Sequence, residues 1–210
     1  VNVALIASIL GQWLKFSEKD IRILTISGLL HDIGKIMIPN EILTKPGKLT
    51  VAEYNIMKQH VNFGYEKVKN QNIDIRIKEA CLLHHEKCDG TGYPFGLKSD
   101  HIPAVAKIIA IADVYDAMTS ARVYRGALCP FEVIDTMYKD AFTKFEPEYI
   151  LPFLKNVASS YINNDVRLSD GRIGKVVLIN ENALSLPIVQ CEDEFIDLSK
   201  TRGLTVSAIL

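Results

Sequence analysis

The sequence lacks a charge excess, a cysteine framework and a membrane-length apolar run, and each absence closes off a class of function. Lys+Arg number 24 and Asp+Glu 25, a formal net charge of -1. No overall electrostatic pull toward nucleic acid or an anionic membrane follows, so an anionic ligand would have to be held by local cations or metals. The four cysteines, Cys81, Cys88, Cys129 and Cys191, form no CxxC pair. Cys81 and Cys129 sit in or beside apolar helical patterns, where reduced core thiols are expected, and a cytoplasmic, reducing location fits. No apolar stretch reaches the roughly 18 residues that span a bilayer. Residues 1–10 are apolar without the basic segment or cleavage site of a signal peptide. They read as the middle of a helix, and the chain is expected to be cut from something longer.

What is present is a chain of 210 residues, 48% hydrophobic, enough for one large domain or a medium domain with a small appendage. Residues 1–162 are helical in pattern. Ala4, Leu5, Ala7, Leu10, Gly11 and Leu14 line one face of a helix. Ser17 has the form of an N-cap before an apolar helix over 21–31. Thr50 and Glu53 form a capping box that starts a helix carrying Tyr54, Met57 and His60. A further helix runs from about Ile75 to His84 and His85. Pro103, Pro130 and Pro147 open three more, at positions where a missing N–H costs little. Near Asn163 the pattern changes to short β-rich runs, 166–168, 173–179, 188–191 and 195–198, separated by turn residues. Residues 163–210 are therefore expected to form a small antiparallel β appendage.

Three clusters carry chemistry. His31-Asp32-Ile33-Gly34-Lys35 closes an apolar helix, where an ionised carboxylate is costly unless it is paired or binds a metal. His31 offers a neutral nitrogen ligand, Asp32 two oxygens that can bridge cations, and Lys35 an ammonium one turn away. His84 and His85 end a second apolar helix and precede the glycine-rich loop at 90–94, in which Tyr93 can present its ring or hydroxyl. Adjacent helical positions point about 100° apart, so both imidazoles reach one cleft only at a helix terminus. Asp113 lies among apolar neighbours, with Asp116 one turn later and Arg122 and Arg125 beyond it as contacts for phosphate or guanine. Each cluster alone has an ordinary reading: a helix-end ion pair, a turn with two surface histidines, a buried ion pair, solvated arginines. His60 alone is a core or surface histidine, and His101, in a polar loop, is read as surface. Together His31, Asp32, His60, His84, His85 and Asp113 form a mixed imidazole and carboxylate set that suits Fe, Mn or Zn better than Mg or Ca.

HDIGK at 31–35, HHEKCDGTGYP at 84–94 and IADVYDAMTSARVYR at 111–125, with ILTKPGK at 42–48 and HVNFGY at 60–65, resemble the HD-GYP family of the HD phosphohydrolase superfamily. The resemblance covers about residues 1–145. It implies a mainly α fold, an HD-type helical bundle around a metal cleft, with residues 1–162 as catalytic domain. It implies two or three divalent ions, Fe or Mn, held by His31, Asp32, His60, His84, His85 and Asp113. It also implies hydrolysis of cyclic di-GMP to pGpG or GMP by hydroxide generated at metals that Asp32 bridges. Asp32 and Lys35 take catalytic positions; Lys35, Tyr93, Arg122 and Arg125 take substrate-binding ones. The family's histidine upstream of Val1 is not in this sequence, and Ala121 and Val123 stand where Asp and Pro are usual. The rival readings are an impaired domain that binds a cyclic dinucleotide or a protein without cleavage, and a relative acting on another cyclic dinucleotide. An upstream sensor or receiver domain and a homodimer are further expectations; a nucleic-acid polymer is not expected as a partner.

Overall fold

A computed structural model describes residues 1–120 and 128–210 of the chain. The first two helices, α1 (Asn2–Trp13) and α2 (Glu18–Leu30), cross closely. At Gly28 a Cβ would lie 2.5 Å from Ala4 Cα, so only glycine permits the approach. Ser17 caps α2, its hydroxyl accepting the Asp20 N–H, as its sequence position predicts. A 3₁₀ turn over Ile33–Met37 follows, and then a short α3 (Asn40–Leu43).

The capping box at Thr50 and Glu53 is formed in full. The helix it starts, α4 (Val51–Met57), stops earlier than the sequence pattern implies. His60 opens a separate helix, α5 (His60–Val68), after a break at Lys58 and Gln59. Neither residue is a helix breaker, so the break is a tertiary effect: α5 turns aside to pack on the 3₁₀ turn. Helix α6 (Ile75–Leu83) lies against both α2 and α5. The apolar α7 (Ala104–Thr119) threads the middle of the bundle; Val105, Ile108, Ile109, Ile111 and Ala112 are buried. Helices α8 (Pro130–Lys139) and α9 (Pro147–Ser159) each begin with proline in the first turn.

The C-terminal sheet contains β1 (Asp165–Leu168), β2 (Ile173–Leu178), β3 (Ile188–Cys191), β4 (Glu194–Asp197) and β5 (Val206–Ile209). Its order is β4-β3-β2-β1-β5, with every neighbouring pair antiparallel. Strand β5 is an addition to the runs expected from sequence. Val166, Leu168, Val176, Val189 and Val206 of the sheet join Phe131, Ile134 and Phe153 of α8 and α9 in one continuous hydrophobic cluster. At the junction Asn163 takes a left-handed conformation, φ 72°, a state its short polar side chain tolerates.

Candidate metal centre

The polar cluster assembles where helices end inside the bundle. His31 is the C-cap of α2, His84 the C-cap of α6, and His60 begins α5 just after α4 has closed. At such places backbone carbonyls run short of helical partners, and each imidazole donates to a carbonyl of the turn before it, Ala80 O still accepting the His84 N–H as well. His31 Nδ1 donates to Gly28 O at 2.9 Å, His60 Nδ1 to Met57 O at 2.7 Å, and His84 Nδ1 to Ala80 O at 2.9 Å. A carbonyl can only accept, so the proton is fixed on Nδ1 and, in the neutral ring, the Nε2 lone pair is free for a cation.

Those lone pairs converge. His60 Nε2 lies 3.5 Å from His84 Nε2, and Asp32 Oδ1 lies 3.3 Å from the first and 3.9 Å from the second. Asp113 Oδ1, from the middle of α7, is 3.7 Å from His31 Nε2, and Asp32 Oδ2 is 3.2 Å from that same nitrogen. Acceptors facing acceptors repel unless positive charge stands between them. Among the described residues three buried side-chain polar atoms have no hydrogen-bond partner, and two of them, His31 Nε2 and Asp32 Oδ1, are here. The third is Ser27 Oγ on α2. A buried orphan is costly, so a metal fits this donor set on physical grounds.

The donors form two groups. Asp32, His60, His84 and His85 place one ligand atom each within 4.8 Å of one another, and so do His31, Asp32 and Asp113. That spacing is of the order of two metal–ligand bonds of about 2.0–2.3 Å. Asp32 belongs to both groups, one oxygen toward each. Imidazole nitrogens mixed with carboxylates suit a transition-metal ion. The sequence-predicted set of six is therefore brought together whole, on side chains from α2, α5, α6 and α7 and the turns that follow them.

The electrostatics agree. Burial opposes charge on His31, but Asp113 and Asp32 outweigh it and push its pKa up to about 9. Burial likewise works against the Asp32 carboxylate, yet His31 and Lys35 hold it well below the usual carboxylate range. Asp113 is lowered too, burial again being outweighed by His31. His84 and His60 are pushed down, chiefly by burial, and His85 falls to about 4 for the same reason. Three imidazoles, His60, His84 and His85, are thus held neutral beside ionised carboxylates, as cations require, while His31 keeps a proton in the metal-free protein that a bound cation would displace.

A cleft of about 510 Å³ opens over this centre, lined among others by Lys35, Lys45, Tyr54, His60, His85, Lys87 and Tyr93. Lys35 Nζ bonds Asp32 Oδ2 at 2.5 Å, and Lys45 is held by Glu53. The Tyr93 ring stacks on His85, centroids 4.7 Å apart at 27°. The wall of the cleft is thus cationic and aromatic, the character an anionic nucleotide needs. Asp116 faces elsewhere, accepting from Asn2 and Ser120. His101 is exposed and pairs with Asp100, in keeping with its surface reading. Arg122 and Arg125 lie outside the described residues. One residue escaped sequence reasoning: Glu86 is buried, 4% exposed, and its carboxylate binds backbone N–H groups of the following loop. Its place directly after two histidines was the available signal.

Comparison with known proteins gives a consistent picture. A family model described as the HD domain matches residues 2–149. The cyclic di-GMP phosphodiesterase response regulator RpfG of Xanthomonas campestris pv. campestris is 41% identical over 155 residues, covering 73% of this chain and 41% of that protein. The 3'3'-cGAMP-specific phosphodiesterase 2 of Vibrio cholerae is 36% identical over 152 residues, 71% of this chain and 29% of that protein. Among solved structures, Bd1817, a HDG"Y"P protein from Bdellovibrio bacteriovorus, superposes with a TM-score of 0.60 at 23% identity, covering 73% of this chain and 49% of that one. The chain thus spans less than half the length of these relatives. No helix among the described residues is long and apolar enough to cross a membrane.

Proposed function

The chain belongs to the HD domain family, and from that premise we propose that it is a metal-dependent phosphodiesterase that hydrolyses cyclic di-GMP to pGpG or GMP. The observation that carries the reading is Asp32, shared between two groups of donors whose imidazole lone pairs already point inward. We assign His31, Asp32, His60, His84, His85 and Asp113 as ligands to two or three divalent ions, Fe or Mn. Such ions, when bound, supply positive charge beside the phosphodiester and a water acidified toward neutral pH.

The chain's own residues do the rest. Asp32 keeps a negative charge between the imidazoles. Lys35, at the cleft wall beside Asp32, offsets charge on the phosphoryl oxygens as it develops. Tyr93, propped on His85, offers a face to a base, and Arg122 and Arg125 are assigned to phosphate or guanine. The helical residues 1–162 form the catalytic unit, and residues 163–210 brace α8 and α9. A cytoplasmic location is supported by four unpaired thiols. An upstream sensor or receiver domain and a homodimer belong to the same proposal.

The likeness to a 3'3'-cGAMP-specific enzyme favours a second reading, in which one guanine is replaced by adenine. Anaerobically prepared protein, loaded with Fe or Mn and given both cyclic dinucleotides, tests the two. Faster turnover of cyclic di-GMP supports the first and faster turnover of cGAMP the second. Tight binding without product defeats both.

A further inference from the structure

Glu86 is a buried carboxylate for which the hydrolysis above has no use. It follows His85 directly, and its two oxygens are taken up by backbone. Oε1 accepts the Phe95 N–H at 2.7 Å and Oε2 the Leu97 N–H at 2.9 Å. Residues 87–96 are thereby looped back onto the end of α6. The base of the loop is also anchored, Cys88 N–H donating to Lys144 O at 3.0 Å and Asp89 bridging to Lys98, but its tip at 91–96 has fewer holds. Thr91, Phe95 and Gly96 are exposed, Phe95 at 63%, so no apolar core keeps it down. At Tyr93 itself the other holds are local: Tyr93 N–H donates to His85 O at 3.2 Å, and Gly92 presses so closely that a Cβ there would lie 2.4 Å from Lys87 N and 2.5 Å from Glu86 Cα.

We propose that Glu86 is a positioning residue that pins this loop so that Tyr93 stays stacked on His85 at the cleft wall, where a nucleobase meets it. The inference rests on the proposed function, since it concerns how that site receives a cyclic dinucleotide. The chemistry of the side chain singles it out. An ionised carboxylate brings two acceptors in one plane, one for each loop N–H. Glutamine keeps one acceptor and turns a donor toward the other N–H. Alanine leaves both N–H groups without a protein partner. The Glu86 side chain is neither a cleft-lining group nor one of the donors, and the loop residue stacked on a donor is Tyr93, so the loss of Glu86 reaches the base-binding wall through Tyr93.

The test uses the Mn-loaded chain with two substrates: cyclic di-GMP, and bis(p-nitrophenyl) phosphate, a phosphodiester without purines. Glu86→Gln is expected to raise KM for cyclic di-GMP about tenfold, the scale of losing one charge-assisted hydrogen bond, and Glu86→Ala, which loses both, by more. Metal content and kcat on bis(p-nitrophenyl) phosphate stay at wild-type levels. Glu86→Gln in a Tyr93→Ala background adds nothing further to KM, because the path runs through Tyr93. An unchanged KM, additive effects in the double variant, or parallel loss of metal and of both activities would each overturn the proposal. If Glu86→Ala does not fold, Glu86→Gln carries the same readings. A wild-type chain that holds metal and cleaves bis(p-nitrophenyl) phosphate but leaves cyclic di-GMP intact defeats the functional reading instead; failure confined to the variants defeats only the role of Glu86.

Discussion

Replacing Gly34 by alanine is expected to push apart two walls of the metal centre. Gly34 lies in the 3₁₀ turn that follows Asp32 and packs on the backbone of α5. A Cβ added there would sit 1.9 Å from His60 O and 2.4 Å from Gly64 N. Real Cβ contacts stay beyond 3.0 Å, so the turn and α5 must separate by about 1.1 Å (3.0 minus 1.9), and the obstacle is backbone that cannot swing aside. One wall carries His31 and Asp32 and the other His60. A metal tolerates errors in ligand distance of only about 0.2 Å, so a shift of this size loosens both donor groups at once. Overpacking of this kind costs about 1–3 kcal/mol, which for a chain of this length is a fall in Tm of roughly 2–12 °C. Mn affinity falls at least about tenfold. Thermal unfolding in chelator and Mn titration of the folded protein measure the two effects. Gly171→Ala is the control: its φ of +94° makes a side chain costly, but nothing lies within 4 Å, so Tm falls and Mn affinity does not. If Gly34→Ala melts with the wild type and binds Mn as tightly, the close approach does not hold the site together.

Asp32→Ala removes the oxygens shared by both donor groups, and elemental analysis and a turnover assay should show bound metal and hydrolysis disappearing together; full turnover at low metal content contradicts the assignment. Lys35→Ala should keep the metal while kcat falls about 10²-fold, the scale of one lost charge-stabilising group, and a fall in metal content matching that in rate argues against the role given to Lys35. In chelated protein His31, at about 9 against about 6.5 when unfolded, contributes stability that is complete below pH 6.5 and lost as pH rises to about 9. His85, at about 4, contributes stability that is lost as pH falls from 6.5 toward 4, and the lowered His60 and His84 act in the same direction. Tm of the chelated chain should therefore peak near neutral pH, and a profile that climbs steadily from pH 5 to 9 refutes the assigned protonation states.

Much of this was legible in the sequence because it is local. Proline at 103, 130 and 147, the Thr50–Glu53 box and the abrupt polarity of His31-Asp32 after Leu29-Leu30 are one-dimensional signals, and the structure places a helix start or end at each. The break after Met57 was not legible, since Lys58 and Gln59 are ordinary helix formers and the cause is the packing of α5 on the 3₁₀ turn. Strand β5 was missed because Val206-Ser207-Ala208-Ile209 has little β signature until β1 pairs with it. Asp116, one turn after Asp113 in the sequence, does not join it in the cluster: its carboxylate turns toward Asn2. The work of Glu86 depends on partners nine and eleven residues away, and no spacing rule announces them.

The three imidazoles that rest on their own preceding turns carry an engineering consequence. None leans on another for its aim, because the carbonyl that steers each ring sits three or four positions earlier on the same stretch of backbone. A helix ending in such a histidine is a portable part: grafted into an unrelated bundle, it would arrive with its ring already turned, and the designer would need only to choose where the ends meet.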